Sequence, residues 1–134
     1  MITAVDTNIL LDIFSPDKKF APSSSNLLKL AYNEGALVIC EMVYAELVPQ
    51  FKKKAFLDQT LSTLNISLSP LTKEIAFLSG ERWGRYKKSG GSRERIITDF
   101  IIGAHALLAA ERFLTRDRGF YKTYFPELKI FLNQ

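Results

Sequence analysis

Short apolar runs recur along this sequence, and a stretch with helical spacing separates each from the next. Residues 2–5 (ITAV), 36–40 (ALVIC), 66–68 (ISL), 113–115 (FLT) and 128–132 (LKIFL) read as strands. Residues 8–14, 41–48, 51–64 and 96–112 read as helices. Ser23, Ser24 and Ser25 offer N-caps for another helix that Gly35 closes, and Ser69-Pro70 is a good start for one running to Lys88. Pro49 should break the helix before it. Strands alternating with helices predict an α/β sandwich around a mostly parallel sheet. With 134 residues, the expectation is one domain spanning 1–134. In such sheets ligand sites lie at the carboxyl ends of the strands.

Composition excludes several classes. No apolar run reaches the roughly 20 residues of a membrane helix. An acid at position 6, with no basic start before the apolar run, argues against a secretory signal, so a cytoplasmic location is expected. One cysteine, Cys40, forms no internal disulfide and reads as core filler. One histidine excludes a zinc site built on several His or Cys ligands. The net charge of +4 is mild, but bases cluster at Lys52-Lys53-Lys54, around Arg82–Lys88 and at Arg93 and Arg95, which suits a polyanionic partner.

Four acids stand out. Asp6 closes the first strand, where an ionised carboxylate at the edge of a core is costly unless something meets it. Asp99 lies in IITDFIIGAHALLAA, on a stripe with Gly103, Ala106 and Ala110 that lets the helix lie close to its neighbours. A first-turn acid, with Thr98 as the cap, is the plainer reading. Asp117 follows a strand by two residues in LTRDRGF, where a turn role before Gly119 is the alternative. Glu46, in EMVYAEL, comes from the helix after the second strand; Glu41, five residues earlier, looks like a dipole acid. Packed together these carboxylates repel, and a hard cation such as Mg²⁺ or Mn²⁺ removes that cost. Metal-activated water would then hydrolyse a phosphodiester.

DTN at the end of the first strand, a Glu in an apolar helix, DFIIGAHAL and T-x-D in LTRDRGF, in that order across essentially the whole chain, resemble the PIN domain. Within it, the likeness is to VapC-type toxins of prokaryotic toxin–antitoxin pairs. That resemblance implies a three-layer α/β/α sandwich with a parallel sheet of about five strands. It also implies a metal-dependent endoribonuclease, using Mg²⁺ or Mn²⁺ on RNA, with a cognate antitoxin and a homodimeric state. Asp6, Glu46, Asp99 and Asp117 would be the metal-binding acids, and Thr7, Asn8 and Thr115 would orient them.

Arg116 and Arg118, flanking Asp117, and Arg95 are candidate phosphate contacts. Trp83 and Tyr86, among bases, suit either base stacking or core packing. His105 lies off the acid stripe and reads as a packed histidine. Phe51, Phe56, Leu57 and Leu61 suit either the core or a dimer face. Residues 87–95, glycine-rich and basic, are expected to move. A DNA- or flap-directed nuclease and an inactive RNA- or protein-binding module are the rival readings. A phosphate-binding regulator would want a lysine beside the acids, and none is evident.

Overall fold

The structure is a computed structural model and describes residues 1–15, 19–91 and 96–131. In chain order it runs β1 (Ile2–Val5), α1 (Thr7–Phe14), α2 (Ala21–Glu34), β2 (Ala36–Ile39), α3 (Glu41–Leu47), a 3₁₀ turn at Val48–Gln50, α4 (Lys54–Thr63), β3 (Ile66–Leu68), α5 (Lys73–Lys88), α6 (Ile97–Ala109), β4 (Arg112–Leu114) and α7 (Arg118–Tyr124). The four strands form one parallel sheet in the order β3-β2-β1-β4, flanked by helices. The expected α/β sandwich is therefore present. Of its expected fifth strand at 128–132, residue 132 lies outside the described residues, and the described part makes a single parallel bridge, between Phe113 and Ile130.

Several boundaries move for local reasons. The serines at 23–25 are not caps: α2 starts at Ala21 after Phe20, with Pro22 in its first turn, and Ser24 is buried inside it. Helix α5 starts three residues beyond Pro70, because the Thr72 hydroxyl accepts from the Ile75 amide and caps it there. Helix α4 starts at Lys54 rather than at 51, since Pro49 sits in the 3₁₀ turn and Phe51 is extended. Helix α6 stops at Ala109, and Arg112 belongs to β4. There its guanidinium donates to Thr3 Oγ1 (2.8 Å), pairs with Glu34 (2.7 Å) and stacks on Phe131.

Helix α7 was not anticipated. Its Phe120/Tyr124 and Tyr121/Phe125 pairs, each four residues apart, were the available signal. They place aromatic rings in the core beside Phe100 and Phe113, with edge-on contacts of 5.2 Å for Phe100–Phe120 and 4.9 Å for Phe113–Tyr121. Arg82 of α5 holds the far end of α7: it donates to the Tyr124 carbonyl (2.9 Å) and pairs with Glu127. That pairing holds the Glu127 carboxyl down at about 2. Arg82 is therefore committed inside the protein rather than offered to a polyanion. Tyr86 is likewise core, packed against Phe100 and Tyr124, while Lys87 lies over the Trp83 ring.

Two glycines are required by close approach. A Cβ on Gly35 would stand 2.0 Å from the Met1 carbonyl oxygen, where α2 turns into β2. A Cβ on Gly103 would stand 2.6 Å from the ring of Phe125, which is fully buried. The small-residue face of α6 thus receives α7's flank. Gly103→Ala should destabilise the fold by about 1–3 kcal/mol, the usual cost of overpacking. Thermal unfolding of the two proteins checks this, and an unchanged midpoint would contradict it.

Candidate active site

The chain lays β1, β2 and β3 outward in order, then returns past β1 to add β4 on its other side. Strand order reverses between β1 and β4, so a crevice opens at their carboxyl ends. Pairing of Val5 with Leu114 sets Asp6 beside Thr115, and the Asp6 amide donates to the Leu114 carbonyl at 2.9 Å.

Asp6 is the N-cap of α1 and is buried. The Thr7 amide donates to its Oδ1 (2.8 Å) and the Thr115 hydroxyl to its Oδ2 (2.7 Å). Thr115 Oγ1 in turn accepts from the Asp117 amide (3.0 Å) and, more weakly, from Asn8 Nδ2 (3.5 Å). The Thr7 hydroxyl donates to Glu46 Oε1 at 2.6 Å, which orients a glutamate exposed on the last turn of α3. Thr7, Asn8 and Thr115 thus all bond to acids of the set or to one another.

Asp99 lies in the first turn of α6, as its plainer reading had it. Its Oδ2 accepts from the Ile96 amide (3.2 Å), and Ile96, not Thr98, is the N-cap residue. It also faces the crevice electrostatically. Asp6 is pushed up from 3.8 to about 7, mainly by burial, and the charges of Glu46 and Asp99 add to the rise. The two hydrogen bonds to Asp6 only partly offset it. Asp117 is the N-cap residue of α7. Three of the four acids therefore begin helices, where the backbone dipole favours negative charge.

The donor set suits a hard divalent cation in kind: carboxylate oxygens, with no thiol or imidazole among them. Among the described residues, no three His, Cys, Asp or Glu side chains are drawn close enough to hold one ion between them. Mg²⁺ does not require that, since it is commonly held by one or two carboxylates with water completing the shell.

The arginines differ. Arg116 Nε and Nη2 donate to Asp12 Oδ2 and Oδ1 at 2.7 and 2.9 Å, so its fork is occupied. Arg118 is exposed at the start of α7. Arg95 lies outside the described residues, as do three more of the stretch expected to move. His105 is buried, and the carboxylate acting on it is Glu41, not one of the four. Burial lowers its proton affinity, and its Nε2 has no partner among the described residues. Leu57 and Leu61 are core, whereas Phe56 remains exposed.

The PIN domain family model matches residues 3–126. The chain is a member of the PIN domain family. A search of curated proteins finds no match. Among solved structures, the chain is similar to one from VapBC2 of Rickettsia felis, a complex bound to a DNA fragment from its promoter. The identity is 24%, the TM-score 0.73, and 98% of each chain is covered. It is also similar to a chain of VapBC-1 from nontypeable Haemophilus influenzae (20% identity, TM-score 0.72, covering 98% of this chain and 97% of that one). A third likeness is to FitAcB from Neisseria gonorrhoeae (20% identity, TM-score 0.63, 98% and 97% covered). These three chains share its fold. Among the described residues no helix is long and apolar enough to cross a membrane.

The raised Asp6 gives a pH signature. The folded state keeps that proton up to about pH 7, while the unfolded chain releases it near 3.8. Stability should therefore fall as pH rises between those values and level off above them. At about 1.4 kcal/mol per unit, the loss is on the order of a few kcal/mol. Urea unfolding in EDTA at pH 5 and pH 8 checks this. Asp6→Asn should flatten the difference, and an equal slope in both proteins would contradict the assignment.

Proposed function

We propose that this chain is a metal-dependent endoribonuclease, the toxin of a VapBC-type toxin–antitoxin pair acting in the cytoplasm. The observation that carries the reading is Asp6: a buried, hydrogen-bonded carboxylate at the switch point of the sheet, with Glu46 and Asp99 raising its proton affinity. A protein has no structural reason to gather like charges there; a cation supplies one. Membership of the PIN family and the fold shared with chains of VapBC complexes support the same reading.

In this reading Asp6, Glu46, Asp99 and Asp117 hold Mg²⁺ or Mn²⁺. When bound, the ion supplies Lewis acidity and lowers the pKa of water, so no histidine base is needed. The Thr115 hydroxyl, bonded to both Asp6 and the Asp117 amide, keeps the two acids in register. Thr7 does the same for Glu46. The exposed Arg118 meets an RNA phosphate near the crevice. A cognate antitoxin and a homodimeric state belong to the same proposal.

Purified protein incubated with structured RNA should cleave it with Mg²⁺ or Mn²⁺ and stop in EDTA. Asp6→Asn should lose at least about 100-fold in rate. Thr115→Val should lose roughly 10- to 100-fold, the usual cost of removing a group that orients a metal ligand. Cleavage indifferent to both EDTA and Asp6→Asn would sink the proposal. RNA binding without cleavage would favour an inactive binding module, and cleavage of DNA alone a DNA-directed nuclease.

A further inference from the structure

Helix α1 carries more than Asp6. Asn8 and Asp12 are four residues apart and so share one face of it. Both grip residue 116, at different points. The Arg116 amide donates to Asn8 Oδ1 at 3.3 Å, and its guanidinium donates both bonds of its fork to Asp12. Asp12 is itself buried, and the Ser24 hydroxyl of α2 donates to its Oδ2 at 2.6 Å from behind. The Phe20 ring lies under the guanidinium, 4.0 Å from it to the ring centre. Residue 116 is therefore fixed at backbone and side chain alike, and its neighbours on either side are Thr115 and Asp117.

We infer that Asp12 and Arg116 are positioning residues, a brace that sets the loop after β4 so that Thr115 and Asp117 meet Asp6 correctly. The inference rests on the nuclease reading for its kinetic consequence, but not for its structural one. A bidentate arginine–carboxylate pair gives geometric specificity as well as attraction. It also changes the role first expected of Arg116: its Nε–Nη2 edge is given to Asp12, which leaves a phosphate only the Nη1 side.

The two roles separate kinetically. A brace predicts that Asp12→Asn and Arg116→Gln each lower kcat by roughly 10- to 100-fold with KM little changed. The double variant should be no worse than either single one, because both remove the same interaction. Arg116→Lys, which keeps the charge but not the fork, should recover part of kcat. A phosphate contact predicts the reverse: Arg116→Gln raises KM, while Asp12→Asn, which frees the arginine, leaves kcat intact. That pattern would overturn the brace.

Amide hydrogen exchange at Arg116 and Asp117, followed by NMR on the same variants without RNA, decides the structural half. Faster exchange at both supports the brace, and unchanged exchange overturns it, even if the wild type cleaves no RNA at all. Should Asp12→Asn fail to fold, Arg116→Gln carries the test alone, since that side chain is about a third exposed.

Discussion

The pairing of β1 with β4 is the contact on which the rest of the site depends. It joins the first strand to the fourth, across more than a hundred residues, and sets Val5 opposite Leu114. One step further on, the same register puts the Thr115 hydroxyl on Asp6. In a parallel sheet the carboxyl ends of both strands point the same way, so the residues that follow them share one crevice. Had β4 been added beside β3 instead, Asp6 would lose the Thr115 hydroxyl. The crossovers through α5 and α6 bring the chain back to the other side of β1. On the way they deliver Asp99 in the first turn of α6.

The aromatic core secures this arrangement. Phe100, one residue after Asp99, packs on Phe120 of α7, and Tyr121 packs on Phe113 of β4. Helices α6 and α7 are thus locked to one another and to the strand that carries Thr115. Gly103 lets α6 lie against Phe125. The small-residue stripe noticed beside Asp99 is a packing device, and its service to the site is indirect: it holds still the helix that presents the acid.

The alternation of strands and helices was legible because it rests on hydrophobic periodicity, the strongest local signal a chain carries. The four acids were legible as anomalies against that pattern. What escaped was decided by tertiary contact. Helix α7 hides behind R-G at its start, and its aromatic spacing makes sense only once Phe100 and Phe113 are in place. The fate of the arginines is a second case. Arg82, Arg112 and Arg116 look alike on paper as surface cations, yet each is paired with an acid distant in sequence: Glu127, Glu34 and Asp12. Only the fold tells a committed cation from an available one. The serines at 23–25 failed for a similar reason. Ser24 serves Asp12 from inside the helix instead of capping it.

A cation that binds in this crevice should displace the proton that burial favours on Asp6. Calorimetric titration of Mn²⁺ into the protein, repeated in buffers of different ionisation enthalpy, measures the protons released on binding. Release should approach one proton at pH 6 and fade by pH 8, with both binding and release sharply weakened in Asp6→Asn. Mn²⁺ binding of equal strength in that variant, or binding with no proton released at pH 6, would contradict it.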